Sequence, residues 1–220
     1  MTRRFDALLR ELSQVEVDAS RAVNQYSAIE GDLAANAIRR RNLRLYLDEL
    51  DARRPRMLLI GEAPSHRGGR LTGIAFVSET VMLSGVDLAN GRIMGGDRGY
   101  KKATEGPRLS TEASATMVWG TIRTIEPLPV LWNAFPFHPF HPGEPLSNRV
   151  PSAAELLIGE RFIGRMLKLF PIERVVAIGN QAALSLMRMN IEHVKVRHPS
   201  MGGKNQFVEE MARLSQDAKP

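Results

Sequence analysis

The chain has 220 residues, enough for one domain or for one with an appendage at roughly 100–200 residues per domain, and long enough to bury a core without covalent staples. Its 43% apolar and 25% charged residues exclude a disordered, collagen-like or coiled-coil chain, and the absence of cysteine excludes disulfides, thiolate zinc sites, cysteine-held iron–sulfur clusters and cysteine nucleophiles. Thirty Lys and Arg against 24 Asp and Glu leave a net charge of +6, which permits a polyanionic partner without requiring one.

From the N-terminus, MTRRFDALLRELSQVEVD carries charge throughout and lacks the apolar stretch of a secretory signal. No apolar run approaches the roughly 18–20 residues of a membrane span. A cytoplasmic protein with no membrane contact is expected. Phe5, Leu8, Leu9, Leu12 and Val15 recur at helical spacing, as do Leu43, Leu47 and Leu50. Residues 1–54 therefore read as a helical extension of a single domain spanning 1–220. Arg53-Arg54-Pro55 ends that pattern. The run Met57 to Ile60 then leads straight into Gly61 and suits a strand buried on both faces.

The segment Gly91 to Pro107 is polar and glycine-rich and is predicted as a long surface loop, with a helix resuming near Thr111. Three further apolar runs behave like the first: Pro129 to Phe135, Arg174 to Gly179 and His193 to Ser200. Ser152 and Glu155 form a capping-box pattern that opens a helix running to Phe170-Pro171. Asn180 is expected to cap a helix through Met189, and Phe207 to Leu214 reads as the last helix. Short apolar strands alternating with helices predict an α/β fold with a central parallel, four-stranded sheet flanked by helices.

Ligands of open parallel sheets bind beyond the carboxyl ends of the strands. Three of those ends carry unusual loops: Gly61 to Phe76, Asn133 to Ser152, and Arg197 to Gly203. The fourth, GNQAA from Gly179, is expected only to start a helix. Each loop has a plain alternative. Gly61 and Pro64 suit a tight turn with Glu62 solvated, Asn133 suits a loop cap, His198 a core histidine, and Phe76 the core. His138 and His141 are separated by Pro139 and followed by Pro142, which forbids a helical ligand pair, and no third ligand stands at metal-like spacing. No metal is expected. The first loop is not a Walker loop, because no GK[ST] follows it.

GEAP (Gly61 to Pro64) followed by TGIAF (Thr72 to Phe76), an asparagine ending an apolar strand (Asn133), and RHPS (Arg197 to Ser200) together resemble the uracil-DNA glycosylase superfamily. There the first motif reads GQDPYH in the best-known family and GEAPG in the thermophile-type family. LSNRVPSAAE also looks like that second family's NRxPTxxE stretch. The resemblance covers about Met57 to Gly203. The departures are specific. The thermophile-type family carries four cluster-binding cysteines and this chain has none. Ala63 stands where GQDPYH has its water-activating Asp, and Ser65 where it has the Tyr that excludes thymine.

The resemblance implies a three-layer α/β/α domain that removes uracil from DNA and leaves an abasic site. A glycosylase everts its target nucleotide and reads the base in a pocket. Uracil presents an N3–H donor beside an O4 acceptor, and one primary amide matches both, the role assigned to Asn133. Phe76 is the expected stacking platform. His198 is the expected donor to uracil O2 and stabiliser of the leaving anion. Glu62 is the acid left near the sugar, with Asn133 or His66 as rival water orienters. Gly61 and Ser65 complete the base pocket. Arg67, Arg70 and Arg197 supply phosphate attraction, Ser200 approaches the backbone, and Met201 is the wedge that fills the vacated stack. No lysine in these motifs offers a Schiff base, no cofactor is implied, and a monomer acting on DNA is the expectation. Two other functions remain open at this level. Ala63 keeps a non-catalytic damage-binding module in play, and the same rim suits a nucleoside or nucleotide hydrolase, although Lys101-Lys102 favours a polymer.

Overall fold

A computed structural model describes residues 3–216. Helix α1 (Asp6–Ser13), strand β1 (Ala22–Val23) and the long helix α2 (Leu33–Asp51) form the N-terminal third. The Asp32 carboxylate accepts the Ala35 N–H at 3.0 Å and so starts α2. Strand β2 (Met57–Gly61), the short helices α3 (Gly69–Thr72) and α4 (Glu79–Ser84), and a hairpin of β3 (Val86–Leu88) and β4 (Gly91–Ile93) follow. Then come α5 (Ala113–Ile122), β5 (Val130–Asn133), β6 (His138–Pro139) and α6 (Ala153–Leu169). The chain closes with β7 (Arg174–Ile178), α7 (Asn180–Arg188), β8 (Val194–Val196) and α8 (Lys204–Gln216).

The central sheet has the order β5-β2-β7-β8 and is parallel throughout. Every residue of β2 and β5 is buried, which is why these strands are continuous apolar runs. The chain first steps outward from β2 to β5 and then back across to β7 and β8. Right-handed crossovers in opposite directions put α5 on one face and α6 and α7 on the other. The packing agrees: α6 lies on β5 and α7, α7 on β2 and β7, while α5 pairs with α8. The result is the expected three-layer α/β/α domain with four parallel strands. Strand direction of travel reverses between β2 and β7, the place where such sheets open a ligand crevice.

α2 covers the sheet edge. The outward N–H of Leu131 on β5 donates to the Tyr46 hydroxyl at 3.3 Å, and Tyr46 packs edge-on against Trp119 of α5. One apolar core runs from Phe5 and Leu8 through the sheet to Phe207 and Leu214. Among the described residues no helix is long and apolar enough to cross a membrane.

Several local expectations are corrected. The first helix ends at Ser13, so Val15 packs from a turn. The segment Gly91 to Pro107 is not simply a surface loop: Gly91–Ile93 pairs in the hairpin, and Ile93, Met94 and Tyr100 are buried. Asn180 does not cap its helix. It is the first helical residue, and the cap position is Gly179 at φ 89°, a conformation open to glycine. The Ser152–Glu155 capping box is present with both of its hydrogen bonds.

Gly159 of α6 sits against the Ala134 carbonyl, directly after Asn133; a methyl there overlaps that carbonyl and crowds Phe135. Gly159→Ala is therefore expected to destabilise the fold by about 1–3 kcal/mol despite the better helix propensity of alanine, read as a lower midpoint in urea. An unchanged midpoint would show that the helix retreats from the strand end at no cost.

Candidate active site

β2 and β5 pair in register, with Gly61 opposite Asn133. The ladder continues past the strands: the Ala134 N–H donates to the Gly61 carbonyl at 2.8 Å and the Phe135 N–H to the Glu62 carbonyl at 3.0 Å. The GEAP loop and the asparagine loop therefore leave the sheet side by side. Phe76 is held in a left-handed conformation at φ 55°, and the Trp119 indole N–H donates to its carbonyl at 3.1 Å. This conformation is costly for a bulky residue and turns the ring back over the sheet. The ring lies where a Gly61 side chain would stand; a β-carbon at Gly61 overlaps the ring and comes within 3.0 Å of the Asn133 Oδ1.

Phe76, Asn133 and His198 line one cavity of about 700 Å³. Glu62, Ala63, Ser65, Arg197 and Ser200 share its wall. The rings of Phe76 and His198 are 6.3 Å apart and tilted by 34°. At that separation they are direct neighbours, so a planar ligand fits against one ring and not between them. Gly61 lies behind the Phe76 ring and makes room for it. Arg67 and Met201 border an adjoining groove that shares Ser65 and Ser200 with the cavity. Arg70 lines neither the cavity nor the groove; it is half-buried, and its charge is felt by Arg39 and His138.

Other wall residues escape the sequence reading. Gly179, Asn180 and Gln181 line the cavity, so the GNQAA turn does more than start a helix. It follows β7 at the switch point, and only the strand order reveals that. Glu112 and Ser114 come from the entrance to α5, with the Ser114 hydroxyl donating to the Glu112 carboxylate at 2.7 Å. Asn148 also lines it; its Oδ1 accepts the His66 N–H at 2.9 Å and ties the first loop to the second.

The site's titrating groups differ in character. Burial, then the nearby Arg197 cation, hold the His198 pKa below the usual imidazole value. The Ser200 N–H donates to His198 Nδ1 at 3.2 Å, and the Ser200 hydroxyl lies 2.7 Å from the same nitrogen. A backbone N–H only donates, so Nδ1 is the acceptor and the neutral ring carries its proton on Nε2. Burial pushes the Glu62 carboxyl above the usual carboxylate range. Ser65 lines the wall, and its Oγ is buried without a hydrogen-bond partner among the described residues.

The profile of the Uracil DNA glycosylase superfamily matches residues 47–217. The chain belongs to that superfamily. A crystal structure of wild-type Pedobacter heparinus SMUG2 matches the fold with a TM-score of 0.65 over 98% of this chain and 98% of that one, at 16% identity. No curated protein matches. Superfamily membership supports a glycosylase-type hydrolase with DNA as its partner.

Within this superfamily member, the NR stretch serves as scaffolding. Arg149 makes a bidentate pair with Glu155 at 2.7 and 2.9 Å and donates to the Phe140 and Arg21 carbonyls. His138 is a fastener. It is fully buried, stacks on Phe140, and places Nδ1 2.8 Å from the Pro64 carbonyl in the GEAP loop. Burial lowers its pKa to about 4, and the Pro64 carbonyl only partly offsets this. The folded state thus keeps His138 neutral while the unfolded chain takes up a proton below about 6.5. Stability from this group is complete above pH 6.5 and falls as pH drops towards 4, by about 3 kcal/mol in all. Urea unfolding of the wild type and of His138→Asn, which retains a donor near the Nδ1 position, should show the steeper pH slope only in the wild type.

Proposed function

We propose that the protein is a monofunctional uracil-DNA glycosylase. The observation that carries this reading is the shared cavity: a stacking ring, a primary amide and a neutral imidazole from three separate loops face one space. The everted uracil stacks on Phe76. The Asn133 amide accepts from N3–H and donates to O4, a pairing that cytosine reverses. His198 Nε2–H donates to O2. As the bond between C1′ and N1 breaks, its electron pair moves onto the base and the O2 contact strengthens with the growing charge. Water adds to C1′ and gives up a proton, and the uracil anion is protonated on release.

Glu62, on the same cavity wall, is the base assigned to that water. Its raised pKa makes it a better proton acceptor than an exposed carboxylate, and Ala63 beside it offers no rival acid. Ser65 offers its unpartnered hydroxyl to the base or sugar. Ser200 fixes the His198 tautomer, which makes it a positioning residue for the imidazole. Arg67, Arg197 and Met201 border the mouth and groove, where phosphates and the vacated stack would lie.

Duplex and single-stranded oligonucleotides carrying uracil, followed by alkaline cleavage of abasic sites, test the reading. Asn133→Ala and His198→Ala should each lose about 100-fold or more in kcat/KM while keeping a folded far-UV spectrum. Tight binding without product would replace the reading with a damage-binding module, and turnover of free deoxyuridine alone with a nucleoside hydrolase. Hypoxanthine and xanthine duplexes in the same assay measure what the small Ser65 admits.

The pH profile is a second test. A neutral His198 and an ionised Glu62 both need a pH above their pKa values, one lowered and one raised. Acidification protonates both, so kcat/KM should fall on the acid side and stay level above neutrality. Glu62→Gln should remove the Glu62 limb and keep only the one due to His198, below the usual imidazole range. A rate that rises on acidification contradicts the neutral imidazole.

A further inference from the structure

The N-terminal third contributes no residue to the cavity wall, yet it hydrogen-bonds both loops that hold the base. Gln25 and Tyr26 are adjacent and buried, with 0% and 3% of their surface exposed. Gln25 Nε2 donates to the Pro136 carbonyl at 2.8 Å, in the loop that leaves Asn133. The Tyr26 hydroxyl donates to the Gly73 carbonyl at 2.9 Å, in the loop that leads to Phe76.

Both residues are themselves held. The Tyr26 N–H donates to the Asn24 side chain at 2.8 Å, and the Asn24 amide donates to the Leu12 and Val15 carbonyls at 2.8 and 2.9 Å. β1 pairs with β6, so Ala22 and Val23 lie beside Pro139 and His138. On the other side, α2 grips the same approach to Phe76. Arg39 Nε donates to the Leu71 carbonyl at 3.2 Å and Asn42 Nδ2 to the Thr72 carbonyl at 3.3 Å. Gly73, at φ 80°, lies so close to α2 that a β-carbon on it would come within 2.6 Å of the Arg39 carbonyl. Three successive carbonyls, at 71, 72 and 73, therefore accept from N-terminal side chains.

We propose that Gln25 and Tyr26 form a clasp that sets the spacing between the base-reading amide and the base-stacking ring. The proposal rests on the glycosylase reading for its catalytic consequence. The two residues are positioning residues. Tyr26 acts through Phe76, whose left-handed backbone needs outside support, and Gln25 acts through Asn133. A ring that drifts over Gly61 loses register with the amide, and a base that stacks on it no longer meets both amide atoms.

The test uses the full chain with Tyr26→Phe and Gln25→Met, which keep shape and remove one donor each. Each variant should lose about fivefold in single-turnover rate on uracil-containing duplex, the scale of one neutral hydrogen bond, with KM unchanged within about twofold. The diagnostic readout is coupling, which a merely structural loss would not produce. Spacing matters only while both the ring and the amide are present, so the Tyr26→Phe and Gln25→Met effects should each vanish in a Phe76→Ala and in an Asn133→Ala background. Equal losses in all backgrounds, or none in the parent, overturn the clasp. A second arm needs no turnover. In the DNA-free protein, Tyr26→Phe should speed amide hydrogen exchange around residues 74–77 and Gln25→Met around 134–137. Uniform or unchanged exchange overturns the proposal. If the parent protein is inactive, the glycosylase reading fails by itself and the exchange arm decides the clasp.

Discussion

A missing side chain organises this site. Gly61 ends the central strand opposite Asn133, and the Phe76 ring occupies the volume its β-carbon would need. That one close approach brings the ring and the amide within reach of one ligand. It needs the parallel register of β2 and β5, because a slip would place the ring over a different pair. It also needs Phe76 to hold an unfavourable left-handed backbone, which the Trp119 indole helps to maintain. His198 enters from the far side of the sheet, beside Gly179 at the end of β7.

Much of the frame was legible as a sequence. The buried strands β2, β5 and β7 announce themselves as short apolar runs, and the Ser152 capping box marks the start of α6 before any packing is known. The loops at 61–76, 133–152 and 197–203 stand out because they interrupt apolar strands with proline, histidine and glycine. Strand order was not legible, since periodicity reports which face is buried and not which neighbour lies beside it. For that reason Gly179, Asn180 and Gln181 looked like an ordinary helix start although the switch point turns them into cavity wall. Arg70 looked like a phosphate contact because it follows the motif in the chain. It lies instead in a short helix, half-buried and off the cavity wall, where its charge is felt by Arg39 and His138. Between Gly91 and Pro107 the anchors Ile93, Met94 and Tyr100 are too sparse to form a period among glycines and charges.

The N-terminal third was hidden for a different reason. Gln25 and Tyr26 lie between elements, and what they grip is backbone. A carbonyl acceptor leaves no mark on the residue that owns it, so neither Pro136 nor Gly73 advertises a partner. Superfamily motifs report the groups that meet the ligand. The groups that hold those motifs in place are free to differ, provided that some donor reaches the same carbonyls.

The charge balance shows the same separation between what reads and what supports. The chain carries +6, but several arginines are engaged by carboxylates inside the scaffold: Arg149 by Glu155, Arg165 by Glu11, Arg188 by Glu160. Net charge alone does not give the field at the mouth, where Lys195 and Arg197 line the cavity beside Glu62, Glu112 and Glu210, and Arg67 and Lys204 border the groove. Arg197 has a second effect, because its cation helps burial to keep His198 neutral. A neutral imidazole with its proton on Nε2 is a directional donor, while the cation nearby adds attraction that has little angular demand. In the proposed reaction the leaving base gains charge at one particular oxygen. A fixed donor aimed by Ser200, backed by an exposed positive charge, meets that demand at lower desolvation cost than a buried imidazolium would.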